Sequence, residues 1–347
     1  MGFLFVGSVG VVPQWFTKRR SVANGIATGG SGLGGMMYSL AVNAMIQRLG
    51  IGWAFRILGI VSFTVNFVCA ILIKDRNKAI GASQLAFDYR LFKRMEFLLV
   101  LGWGFFSMLG YIVLLFSLPN YALSVGLTAK QGSIIGALLN LGQGLGRPVV
   151  GIFSDAAGRI NIAGFLTFAC GLFCFVIWIF AKSFGVLIFF SLIVGTVAGT
   201  FWTTIGPVGA EVVGLKELPS ALSITWIILV LPTTCTFSLA CNWRPEVLIL
   251  APVSEPIALE LRKTNGDIYL HAQIFTGFMY MGAALCMWFL RAWKIGELEQ
   301  IAAEKGKRTE DLDPVADQPL DVRTEGPVSL PNKKSNVLMR LCTWRRV

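Results

Sequence analysis

The sequence has little with which to face water. Only 14% of its 347 residues are charged, and its one histidine is His271. A soluble domain carries roughly 25% charged residues, so a water-covered globular surface is excluded for most of the chain. The seven cysteines include no C-x-x-C pair, and with a single histidine there is no clustered donor set for a metal. Cys69, Cys170, Cys174 and Cys286 lie inside apolar runs, where a thiol behaves as a small hydrophobe. Cys235 and Cys241 stand near an expected outer loop, which leaves a disulfide there open. No nucleophile–base constellation is visible. An enzyme is therefore not expected, and neither is a cofactor.

Acidic groups are scarce as well. Lys and Arg number 30 against 19 Asp and Glu, giving a net charge of +11. The cations sit in short clusters between apolar runs and in the tail after Leu290, not along a face. A nucleic-acid partner would need basic and aromatic residues interleaved, and that pattern is missing. Clusters between apolar runs are instead the signature of cytoplasmic loops.

What the chain does have is apolar length. Hydrophobic residues make up 55%, in blocks long enough for helices that cross a bilayer. Spans are expected near 1–16, 22–47, 53–73, 96–119, 129–153, 160–181, 185–210, 218–240 and 270–292. The cation clusters at 17–20, 74–94, 154–159 and 291–294 recur after every second span, so one alternating topology puts all of them in the cytoplasm. Membrane lipid is then the main solvent, and a plasma membrane is favoured over an internal one. The first run has no basic start and no A-x-A-like cleavage site. It also ends in its cations and is short for a span. The expectation is a chain that begins partway into a helix of a longer protein.

Several stretches, in order, resemble the monocarboxylate-porter branch of the major facilitator superfamily, in wording closest to fungal members. "TKRRSVANGIATGGSGLGG" resembles the junction of the fourth and fifth helices. "DYRLFKRMEFLL" resembles the entry to the seventh, and "GQGLGRPVVGIFSDAAGR" the eighth helix with its following loop. "GPVGAEVVGLKELPSALSI" resembles the tenth helix leading to the eleventh. The resemblance implies an all-α membrane protein with the major facilitator fold, about nine transmembrane helices, and the first three helices absent. It divides the chain into 1–74, a remnant of the N-terminal half; 75–95, a cytoplasmic central loop; 96–293, a six-helix C-terminal half; and 294–347, a disordered cytoplasmic tail. Segment 235–253 reads as an insertion into the eleventh helix, either a gene-model artefact or a loop peculiar to this protein.

Glycines carry the packing expectation. Gly25, Gly29, Gly30 and Gly34 in one helix, and Gly142 and Gly146 in another, have small-x-x-x-small spacings that let backbones approach closely in lipid. By resemblance these two helices face each other across the halves, where close faces would support rocking between them.

Arg147 lies deep in an apolar run, where a charge costs at least about 2.5 kcal/mol. The resemblance implies that it engages a substrate carboxylate; pairing with Asp155 or Glu211 near the interface is the competing reading. Related sequences often have an aspartate one turn earlier, and here Gln143 stands there. Proton coupling therefore has no visible carrier at this position. Asn140, Gln143, Trp202, Thr203 and Thr204 are candidates to line a cavity, or else to hydrogen-bond between helices. Gly151, Asp155, Gly158 and Arg159 match the superfamily loop motif except at Ala156. With Lys18, Arg19 and Arg20 they form a candidate gate, because Asp155 suits a helix N-terminus. The expected function is movement of a small organic anion, a monocarboxylate with or without protons. A non-transporting membrane sensor, or a truncated inactive product on the same fold, is the alternative.

Overall fold

The computed structural model describes residues 9–82, 85, 87–234 and 269–311. Among these, nine longer helices form the bundle. They are α1 (Arg20–Leu49), α2 (Ile51–Leu72), α3 (Met95–Ser124), α4 (Ala129–Ala157), α5 (Arg159–Phe173), α6 (Phe184–Ala198), α7 (Thr200–Val212), α8 (Leu218–Thr234) and α9 (Leu270–Asp311). The described helices fall where apolar runs were read, and no strand occurs among the described residues.

Local signals explain several boundaries. Thr128 starts α4 with a capping box, its hydroxyl accepting from the Gln131 amide while Gln131 accepts from the Thr128 amide. Gly158 separates α4 from α5 at φ +106°, a value that side chains with a Cβ rarely adopt. α5 runs on into a π-helical turn, Cys174–Trp178.

Among the described residues, five helical segments are long and apolar enough to cross a membrane: Ile51–Leu72, Met95–Ser124, Arg159–Trp178, Phe184–Val212 and Leu270–Lys305. α1 and α4 have 30 and 29 residues, length for about 45 Å, but are less apolar because glycines and polar groups interrupt them. Gly25, Gly29 and Gly32 of α1 and Gly144 of α4 lie where the two helices meet. α4 is held between α1 on one side and α6 on the other, while α9 packs on α3 and α5. Trp103, Phe201, Ile205, Met287 and Leu290 fill the core between α3, α7 and α9. α2 leans on α1 and leaves Phe55, Phe63 and Phe67 exposed, as hydrocarbon permits.

All the cation clusters meet at one end. The Trp15 indole donates to the Lys74 carbonyl at 3.0 Å, and the Gln14 amide to Asn77 at 2.8 Å. Arg159 reaches the Thr17 carbonyl at 3.0 Å, and Lys294 the Glu211 carbonyl at 3.2 Å. The alternating topology drawn from Lys and Arg requires this gathering.

Three expectations need correction or relocation. The last helix does not end near 293: α9 continues to Asp311, so a disordered tail is wrong over 294–311. Good helix formers such as Glu, Ala and Lys fill that stretch, and Lys294 pairs with Glu297 at 2.7 Å while Ile295 is buried. The rest of the tail, residues 1–8 of the first span, the 235–253 insertion and the Cys235–Cys241 pair lie outside the described residues. Gly30 and Gly34 are not close-packing glycines. A Cβ at Gly30 would meet nothing within 4 Å, and one at Gly34 only Tyr38 of its own helix. At 100° per residue they point away from the face of Gly25 and Gly29.

Candidate functional site

The α1–α4 seam sets the geometry. A Cβ on Gly25 would lie 2.5 Å from the Arg147 carbonyl oxygen, and one on Gly29 3.0 Å from the Gly144 carbonyl oxygen. A Cβ on Gly32, a position outside the small-x-x-x-small spacings, would lie 2.4 Å from the Gly144 amide nitrogen. On the other flank, a Cβ on Gly142 would lie 2.7 Å from the Leu192 carbonyl oxygen and one on Gly146 2.4 Å from the Thr196 Cα. These backbones touch on both flanks of α4, and a line between its neighbours stays open to a long side chain.

Arg147 takes that line. It is 4% exposed. Its Nη1 donates to the Thr28 carbonyl at 2.6 Å and to the Ser31 hydroxyl, both on α1. Its Nη2 donates to Gln143 Oε1 at 2.8 Å. The Tyr111 hydroxyl on α3 donates to the same oxygen at 2.8 Å. A guanidinium can only donate, so the amide oxygen of Gln143 must face it. The amide nitrogen of Gln143 and the Nε of Arg147 are then buried donors without a partner among the described residues. Gly199, in the break between α6 and α7, makes room for this side chain: a Cβ there would be 2.8 Å from Arg147 Nε.

Neither carboxylate considered as a partner for Arg147 reaches it. Arg159 takes both, Asp155 at 3.0 Å and Glu211 at 2.7 Å. Asp155 also accepts the backbone amides of Ser21 and Val22, at 3.2 and 3.0 Å, in the first turn of α1. There the helix dipole favours an anion. Gly151 lets this happen, because its Cβ would lie 2.5 Å from the Ser21 carbonyl oxygen. Arg20 turns back to the Pro13 and Phe16 carbonyls at 3.0 and 2.6 Å, closing the bend before α1. Lys18 lines a cleft of about 600 Å³ together with Asp155, Arg159, Glu211 and Lys294. Arg19 precedes α1 with an exposed side chain.

The remaining candidates divide. Trp202 stacks on Trp226 at 5.6 Å and meets Tyr111 edge-on at 6.4 Å, so an aromatic ledge adjoins the Gln143 amide. Asn140 donates to the Gly136 carbonyl of its own helix and lies 3.4 Å from where a Gly35 Cβ would be. Thr203 and Thr204 do not line a cavity. Both are fully enclosed, and their hydroxyls donate back to Gly199 and Thr200 at 3.3 and 2.7 Å. Nor do those hydroxyls join helices, since each bonds one turn back along its own. The Thr203 carbonyl instead receives Asn24 of α1 at 2.6 Å. Tyr111 and Asn24 were missed because nothing in their local sequence marks which neighbours they meet.

The comparisons agree with this architecture. Residues 1–232 match the Major Facilitator Superfamily. The chain is 34% identical over 306 residues to the probable transporter MCH2 of Saccharomyces cerevisiae, covering 86% of this chain and 61% of that protein. It is 32% identical over 308 residues to the uncharacterized transporter ESBP6 of the same yeast, covering 85% and 43%. To the MFS-type transporter pynF of Aspergillus niger it is 29% identical over 198 residues, covering 56% and 45%. The chain thus spans less than two thirds of the length of these relatives. With a matched family over most of its length and five helices fit to cross a bilayer, this multi-pass membrane protein belongs to the Major Facilitator Superfamily.

Proposed function

We propose that this chain binds a small organic anion, a monocarboxylate, at Arg147 and takes part in moving it across a membrane, the plasma membrane, by alternating access. One observation carries the reading: among the described residues a buried guanidinium meets only neutral acceptors, at Thr28, Ser31 and Gln143. A charge held this way among apolar helices is costly unless an anion joins it. The guanidinium fork suits a carboxylate better than a lone ammonium would. The relatives, transporters by name, support transport in general; a carboxylate cargo rests on Arg147.

The Asp155–Arg159 group supports a gate. Its contacts join α4, α5 and α7 to the start of α1 at the cation-bearing end, which the Lys and Arg pattern reads as cytoplasmic. Hydrogen bonds between charged and backbone groups can break and re-form as whole units, and the glycine seam beside them leaves few side chains to interlock. The test is pyruvate binding to the purified chain in lipid nanodiscs. Arg147→Ala should weaken binding by at least about 30-fold, the scale of removing one partner of a buried charge pair. Arg147→Lys should recover part of it. Equal affinity in the wild type and Arg147→Ala would end this reading. Uptake of labelled pyruvate into vesicles then separates a transporter from a membrane sensor.

A further inference from the structure

Resting on the anion reading above, we infer that Arg147 and Gln143 form a fixed-charge site that takes the ionised carboxylate alone and binds it without a proton.

The argument starts from the hydrogen bonds. Gln143 Oε1 receives both Arg147 Nη2 and the Tyr111 hydroxyl, each at 2.8 Å. This side chain is 2% exposed and Arg147 4%, so water does not compete. An amide oxygen accepts as a carboxylate would but carries no charge and no exchangeable acid proton. The positive charge of Arg147 therefore stays uncompensated in the empty site. The Gln143 amide nitrogen and Arg147 Nε are the donors left over, buried and unpartnered among the described residues. Donors without acceptors, beside a charge without a counter-charge, describe one missing ligand: an anion with acceptor oxygens.

The groups around Arg147 offer no proton carrier. On α1 the contacts are the Thr28 carbonyl and the Ser31 hydroxyl. At the α6–α7 junction Gly199 adjoins Nε, and Thr196 of α6 packs on Gly146. On α3 the group is the Tyr111 phenol, whose hydroxyl donates to Gln143 Oε1. Within α4, Asn140 is an amide bonded to the Gly136 carbonyl. Asp155 lies two turns further along α4 and Glu211 on α7, and both are engaged by Arg159. Among the described residues no carboxylate or imidazole contacts the Arg147 guanidinium or the Gln143 amide. The loaded site is electrically balanced, and the empty one holds a net positive charge. A neutral isostere would leave that charge unmet and should be refused.

Calorimetry of the whole chain in nanodiscs tests this, with pyruvate titrated in two buffers of different ionisation enthalpy. The expected proton uptake on binding is zero, with affinity level from about pH 5.5 to 8.5. Pyruvamide, the neutral isostere, should bind at least about 30-fold more weakly. Gln143→Asp sets a carboxylate against Arg147, so pyruvate binding then requires that carboxylate to be displaced or to take a proton from solvent. That variant should take up close to one proton, and its affinity should fall up to about tenfold per pH unit above the new carboxyl's pKa. Gln143→Glu serves the same purpose if the aspartate variant does not fold. Wild-type binding that takes up a proton, or pyruvamide bound as tightly as pyruvate, would overturn the inference while leaving anion binding at Arg147 standing. No pyruvate binding at any pH would overturn both.

Discussion

Asp155 and Val22 are 133 residues apart in sequence and 3.0 Å apart in space, the carboxylate of one accepting the backbone amide of the other. The second Asp155 oxygen takes the Ser21 amide and the Arg159 guanidinium. One side chain thus ties the start of α1 to α4 and α5. Asp155→Asn keeps the shape and removes the charge. Charge-assisted hydrogen bonds contribute about 1.5–3 kcal/mol, so exchange of the Ser21 and Val22 amides should quicken by about tenfold or more. Hydrogen exchange read by mass spectrometry measures this, and unchanged protection would deny the tie.

The two kinds of glycine should respond in opposite ways. Gly146→Ala would drive a Cβ to 2.4 Å from the Thr196 Cα, a backbone atom that cannot turn aside. Overpacking of this sort costs about 1–3 kcal/mol, and the melting temperature in detergent should fall clearly. Gly30→Ala meets nothing within 4 Å and gains helix propensity, so its melting temperature should hold or rise slightly. A large fall for Gly30→Ala would mean that its face is covered in the bilayer.

Thr203 and Gln143 separate enclosed hydroxyls from the site itself. Thr203→Val removes a hydroxyl that serves only the Gly199 carbonyl at 3.3 Å, so pyruvate affinity should stay within about twofold. Gln143→Ala removes the acceptor that holds Arg147 Nη2 and the Tyr111 hydroxyl, and affinity should drop by about tenfold or more. Equal effects in a binding isotherm would argue against this division.

The end of α9 offers a local test. Ala303→Pro should unwind the stretch around it, since proline in a helix interior costs about 3 kcal/mol. Amide exchange over 299–304 should quicken, while the melting of the bundle, anchored by Met287, Leu290 and Ile295, should barely move. Slow exchange that survives the proline would show that the extension is not held as a helix.

Much of this protein was legible before any coordinates. Apolar length fixed where the helices run, because a backbone in hydrocarbon must satisfy its own hydrogen bonds within a helix. The recurrence of Lys and Arg after every second span fixed which ends share a side, and the contacts among Trp15, Lys74, Arg159 and Lys294 gather those ends together. The motif spacing pointed Asp155 at a helix N-terminus, and it meets that of α1. Tertiary structure decided the rest. Glycine spacing marks a face but not which neighbour covers it, so Gly32 and not Gly30 meets α4. A polar residue in an apolar run announces a hydrogen bond without naming its partner. Thr203 closed on its own helix, whereas Gln143 gathered Arg147 and Tyr111 across two helices. Sequence sets what each side chain can donate or accept; only packing at backbone contact decides which groups come within 3 Å and which charge is left without a partner.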